Sequence, residues 1–184
     1  SISPASPDAN TPALTCTVTG SDADGDTVTF SYEWLVDNTT QTETSNMFAG
    51  PFIIGSIIAC GSTPNDGKID GNYDEDTVTI QNTVPVADSV TLSPSSVYTN
   101  DALTATAVFS DDDSTQTVSG TYAWHVIDFA TGSDTEVQSG SDNTLSGLSF
   151  FDRDDEVYVI VTPNDGVDDG SPMTSSSITI SNTV

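Results

Sequence analysis

The sequence predicts an all-β protein built from two tandem β-sandwiches, and three observations carry that expectation. Val, Ile and Thr supply 56 of the 184 residues, and β-branched side chains favour a pleated, half-buried surface. Leu, Glu, Gln, Lys and Arg, which fill helices, are scarce. The chain also repeats itself. Thr63-Pro64-Asn65-Asp66-Gly67 returns as Thr162-Pro163-Asn164-Asp165-Gly166, and Tyr32-Glu33-Trp34 returns as Tyr122-Ala123-Trp124. Leu14-Thr15-Cys16-Thr17 matches Leu103-Thr104-Ala105-Thr106, Ile2-Ser3-Pro4 matches Leu92-Ser93-Pro94, and Thr79 to Val84 matches Thr179 to Val184. Five matches in one order mean duplication.

The boundary is expected near Pro85, giving modules 1–85 and 86–184. In the first module, residues 13–19 alternate with Leu14, Cys16 and Val18 on one face. Residues 27–36 place Phe30, Tyr32, Trp34 and Val36 on one face, residues 57–62 turn Ile58 and Cys60 inward, and residues 77–80 close the module. The second module repeats these strands at 103–109, 120–127, 156–162 and 176–180, with a longer middle section. Period-2 alternation between turn signals is the mark of half-buried strands. About 90 residues per module, with turns every 8–12, describe a sandwich.

Here the chain resembles a known family. A Cys in the second strand, a Trp in the third and a Cys in the penultimate one resemble the pin of an immunoglobulin-like sandwich. The Trp strand, the Asp22-Ala23-Asp24-Gly25-Asp26 turn and the Thr-Pro-Asn-Asp-Gly turn are similar to the PKD-like and Ig-like repeats of large secreted bacterial surface proteins. The resemblance covers both copies. It departs from PKD domains in lacking their Trp-Asp-Phe-Gly-Asp-Gly segment; Trp34-Leu35-Val36-Asp37 and Trp124-His125-Val126-Ile127 stand there. The resemblance implies cores pinned by Trp34 and Trp124. Two cysteines alone allow either one disulfide or two buried thiols. The resemblance implies a Cys16–Cys60 disulfide, and the second copy agrees, since both positions change together, to Ala105 and Val159.

The charge narrows function. There are 28 acids, 23 of them Asp, against two basic residues, for a net −26. Lys68 and Arg153 are no footprint for nucleic acid or an anionic membrane. High charge with modest hydrophobicity is also a signature of disorder, but the Trp and Tyr residues and the alternation argue for packed sheets. No apolar run approaches the ~20 residues of a membrane span. The start, SISPASP, lacks the basic and apolar regions of a signal peptide, so the chain reads as a mature form or a slice of a longer array.

The acids fall in turns. In an Ig-like sandwich the loop after the second strand and the loop before the last meet at one pole. In copy one this gathers Asp22, Asp24, Asp26, Asp66 and Asp70; in copy two, Asp111, Asp113, Asp165 and Asp168, expected at the junction with copy one. A hard divalent cation such as Ca²⁺, taking six to eight oxygens, would relieve the repulsion. The competing account is turn chemistry: Asp, Asn and Gly cap their own backbone.

No catalytic constellation is found. His125 is the one histidine, and its place beside Trp124 and Val126 makes it an outward strand side chain. Paired carboxylates are available but lie in turns without the apolar pocket an acid catalyst needs. The expectation is therefore a non-enzyme: a structural or adhesive spacer of an extracellular surface protein or fibre. Its partners would be neighbouring repeats or like subunits, with surface glycans or proteins as further candidates. The alternatives are a carbohydrate-binding accessory module of a secreted hydrolase and a head-to-tail filament subunit.

Overall fold

The computed structural model describes residues 1–182, so the last two positions of the closing repeat, Thr183 and Val184, lie outside the described residues. The chain divides into two compact units, Ser1–Thr83 with Asp112–Thr115, and Val84–Asp111 with Gln116–Val184.

The first unit has seven strands: β1 (Ile2–Ser3), β2 (Ala13–Cys16), β3 (Thr29–Val36), β4 (Thr39–Thr40), β5 (Met47–Ala49), β6 (Ile57–Asn65) and β7 (Asp74–Thr79). They form two antiparallel sheets, β1-β2-β5 and β4-β3-β6-β7. The alternation read from the sequence is what closes them: Leu14, Cys16, Trp34, Ile58, Cys60 and Ile80 are buried between the sheets. Trp34 is fully buried, and its indole N–H donates to the Ser45 carbonyl at 2.9 Å. Phe48 stacks on its ring, centroids 5.4 Å apart. Cys16 on one sheet is disulfide-bonded to Cys60 on the other, their Cα atoms 6.3 Å apart. Closing a loop of 44 residues stabilises by about 4 kcal/mol on the chain-entropy account.

The second unit repeats the design. It contains β8 (Val86–Ser93), β9 (Ala102–Ser110), β10 (Ser119–Ile127), β11 (Asp134–Gly140), β12 (Thr144–Ser146), the single helical turn α1 (Gly147–Phe150), β13 (Glu156–Asn164), β14 (Met173–Thr174) and β15 (Ile178–Thr179). One sheet is β12-β9-β8; the other is β11-β10-β13-β14, with β15 also on β13. Trp124, Leu103, Ala105, Leu145, Val157, Val159 and Val161 are fully buried. Ala105 and Val159 thus fill the place of the disulfide with apolar side chains.

The structure corrects the expected strands in three places. The strand expected at 13–19 is observed as β2, Ala13–Cys16, and beyond it Thr17 still exchanges backbone hydrogen bonds with Ser1. The closing strand expected at 176–180 is split: Ser175 turns inward, its Oγ accepting the Val159 amide at 3.1 Å while its own amide donates to the Val159 carbonyl at 2.9 Å. Three short strands, β4, β5 and β12, and the seven-residue β11 carry no readable alternation. β3 passes to β4 through Asp37 and Asn38, both with positive φ (48° and 63°), as a two-residue hairpin turn of matching twist requires.

Candidate functional site: the acidic poles

The loop between β2 and β3 and the loop between β6 and β7 do meet. Asp22, from the first, and Asp66, Ile69 and Gly71, from the second, line a common cavity of about 170 Å³ with Pro64 and Asn65 at the end of β6. Lys68 reaches across to an ion pair with Asp26.

Within each loop the carboxylates serve their own backbone. Asp22 Oδ1 accepts the amides of Asp24 at 2.8 Å and Asp26 at 3.2 Å. Asp66 Oδ1 accepts the amides of Lys68 and Ile69, both at 2.8 Å. These backbone donors, Ile69 first and then Lys68, hold the Asp66 carboxyl below its ordinary pKa, because they favour the charged form. Asp70 Oδ1 accepts from the Asn65 side-chain amide at 2.7 Å, and Asn65 Oδ1 accepts the Gly67 amide at 2.7 Å. Gly67 sits at φ +86°, where a Cβ would be strained.

Copy two repeats this turn bond for bond. Asp165 Oδ1 accepts the amides of Val167 and Asp168 at 2.7 Å each, and Asn164 binds the Gly166 amide and Asp169 at 2.8 Å each. Asp165 is buried. Asp111 follows β9. Asp113 is buried within the first unit, where its Oδ2 accepts the Thr83 amide at 2.6 Å and the Thr83 hydroxyl at 2.7 Å.

Among the described residues, no three His, Cys, Asp or Glu side chains are grouped so as to hold a metal ion. Of the expected Ca²⁺ donors of copy one, Asp22 and Asp66 line the common cavity, and Asp22, Asp66 and, in copy two, Asp165 accept loop amides through Oδ1. As folded, each of these three caps its own loop through Oδ1.

One cluster escaped the sequence. His125 faces outward from β10 and stacks on Tyr158 of β13, ring centroids 4.8 Å apart. Its Nδ1 lies 3.1 Å from Asp134 Oδ1, and the Tyr158 hydroxyl donates to Asp134 Oδ2 at 2.6 Å. The Tyr158 bond, and then His125, lower the Asp134 pKa. In return the carboxylate, helped by burial, raises the Tyr158 phenol to about 12. The signal was cross-strand register, His125 opposite Tyr158 on one side and Glu136 on the other, which stays hidden until β11 is recognised.

No protein-family profile matches the chain, and no curated protein sequence matches it. Solved structures resemble it distantly. Three N-terminal domains of the highly immunogenic outer capsid protein of bacteriophage RB49 are 12% identical, with a TM-score of 0.45, over 100% of this chain and 69% of that one. A two-domain fibronectin type III segment of chicken tenascin is 11% identical, with a TM-score of 0.43, over 97% and 96%. Titin domains A168–A170 are 12% identical, with a TM-score of 0.38, over 94% and 67%. The fold rests on the chain's own strand order: first, second and fifth strands in one sheet, fourth, third, sixth and seventh in the other, twice over. By that order the chain is a tandem pair of immunoglobulin-like β-sandwiches.

Proposed function

We propose that the chain is a non-catalytic structural or adhesive spacer of an extracellular surface protein or fibre. The observation that carries this reading is the duplication itself: two sandwiches of one strand order follow each other, each closed around a fully buried Trp. The cross-sheet disulfide agrees with an oxidising compartment outside the cell. Among the described residues no helix is long and apolar enough to cross a membrane. Neighbouring repeats or like subunits are its partners in this reading. Surface glycans or proteins are the contacts it would make as an adhesin.

Ca²⁺ enters on charge alone. A net −26 destabilises a compact state through self-repulsion, and a divalent cation gathered by the Asp-rich poles offsets it. The expected roles of Asp22, Asp24, Asp26, Asp66, Asp70, Asp111, Asp113, Asp165 and Asp168 as cation partners belong to this proposal.

Single-molecule pulling tests the spacer. Two unfolding steps are expected, one per unit. In reductant the step from the first unit should lengthen by about 150 Å, the contour of the 44-residue loop otherwise locked by Cys16–Cys60, at ~3.5 Å per residue. A single joint step, or unfolding at forces no greater than those of an unstructured chain, would remove the mechanical reading. Antibody labelling of intact producing cells tests the location; signal only after lysis would place the chain inside.

A further inference from the structure

In the first unit β3 passes to β4 through Asp37 and Asn38 alone, and residues 37–40 are all exposed. Asp37 ties this tip to the loop that leads into β6. Its Oδ1 accepts the Ile57 amide at 2.8 Å, its Oδ2 accepts the Ser56 hydroxyl at 3.0 Å, and its own amide donates to the Ile57 carbonyl at 2.9 Å. Asn38 has no such task. The side-chain amides of Asn65, Asn143 and Asn164 each donate to a carboxylate or a carbonyl of the fold, whereas among the described residues the Asn38 side chain has no hydrogen-bond partner. Of the ten asparagines, Asn38 is also the one followed two residues later by Ser or Thr, in Asn38-Thr39-Thr40. That triplet, with no proline between, is the acceptor pattern for an N-linked glycan.

The surface beside the tip is a second observation. Ile57, bonded to Asp37, is 51% exposed, and Ile53 of the same loop is 54% exposed. Counted back from Cys60 and from Val159, which hold equivalent places, Ile53 and Ile57 answer to Asp152 and Glu156, two exposed acids. The fold therefore has no need of isoleucine at either position. Copy two also lacks asparagine in its longer connection, residues 128–133. The copy that keeps the acceptor is the copy with bare isoleucines. Exposed apolar surface of this kind calls for a cover, and a glycan is a bulky, solubilising one.

We propose that Asn38 carries one N-linked oligosaccharide, and that this glycan shields Ile53 and Ile57. The donor is a lipid-diphosphate-linked oligosaccharide. Asn38 Nδ2 bonds to the anomeric carbon of the first sugar, and the bond from that carbon to the diphosphate oxygen breaks. The lipid diphosphate leaves with the electron pair, and the amide gives up one proton to a base. The inference rests on the extracellular reading, since such acceptors are surface loops of secreted chains.

The test is a mass map of the chain as released by the cells that produce it. Cleavage after Glu33 and Glu43 frees the 34–43 peptide with Asn38 inside. That peptide is expected to be heavier by one oligosaccharide. The increment should be lost in Asn38→Asp and in Thr40→Ala, and kept in Thr40→Ser. Asp tolerates the left-handed backbone of position 38, so the first variant keeps its turn. It should also bind more of a hydrophobic dye than the native chain, and adding Ile53→Asp and Ile57→Glu should abolish the excess. A 34–43 peptide of unmodified mass would overturn the glycan; where the same chain labels on intact cells, the spacer reading stands. An increment that survives Thr40→Ala would overturn it too, and equal dye binding by the native and Asn38→Asp chains would overturn the shielding.

Discussion

At the scale of single residues, the structure shows how the surplus of acid is tolerated. Tyr73 lies flat over Gly61, where a Cβ would fall 1.9 Å from its hydroxyl, and donates to Glu75 at 2.8 Å. Burial first, and then Glu75, push the Tyr73 phenol up to about 12. Tyr73 and Tyr158 should thus ionise only near 12 in an absorbance titration. The neutral phenol is the form the fold favours. Its stabilising share is complete below pH 10, and is lost as pH rises from there through about 12. Gly61→Ala should drive the Tyr73 ring off the sheet and return it toward 10, leaving Tyr158 unchanged; late titration of both tyrosines in that variant would contradict the packing. Asp66 and Asp134 work in the opposite direction. Their contribution is present above the ordinary value of 3.8 and is lost only as pH falls through their lowered ones. The sequence announced the Asp turns but not Tyr73 or His125. A turn is written in consecutive residues, whereas these contacts depend on which strands lie side by side.

Between elements, the two copies solve one packing problem in opposite ways. Gly20 faces Phe30 in the first, with a Cβ at Gly20 3.2 Å from the ring. In the second the pair is exchanged: Phe109 stands where Gly20 does, and its ring would lie 2.6 Å from a Cβ on Gly120, the counterpart of Phe30. One aromatic ring fits between these two strands, and either strand can supply it. Gly120→Phe alone should overpack the site and destabilise by about 1–3 kcal/mol, and Phe109→Gly alone should open a cavity costing about 3 kcal/mol. The double variant should recover most of the loss in chemical denaturation. Additive losses would show that the rings do not share one space. The long strands were legible because large apolar side chains recur at every second position, as at Tyr32, Trp34 and Val36 or Tyr122, Trp124 and Val126. Short strands such as β4 and β5, two and three residues long, hold too few side chains to show a period. The end of β2 was misread because alternation continues past Cys16, while the extent of a strand is set by backbone pairing, which the pattern does not show.

For the whole molecule the governing quantity is the net charge of −26. If Ca²⁺ is recruited by the poles, millimolar Ca²⁺ should raise the melting temperature by several degrees over excess EDTA. Mg²⁺ at equal ionic strength should do less, because it surrenders its water reluctantly. Equal curves in all three media would remove calcium and leave the spacer. The candidate site was legible only in part for a physical reason. Alternating Asp around Gly is the same string of letters whether its oxygens point outward at a cation or back at loop amides. The three-dimensional fold shows that Oδ1 of Asp22, Asp66 and Asp165 caps loop amides, which the string of letters does not.

The Pro85 carbonyl packs so close on Gly170 that a Cβ there would stand 1.9 Å from its oxygen, and this contact bears on how such a chain is inherited. Repeats multiply and migrate by recombination, and each exchange must cut somewhere. A cut between Thr83 and Val84 moves the proline together with the glycine that receives it, so the transplanted segment arrives with its own clasp. A cut after Val90 parts them, leaving Gly170 without the proline packed on it. Where this gene has been shuffled, the surviving joints should therefore cluster just ahead of the proline.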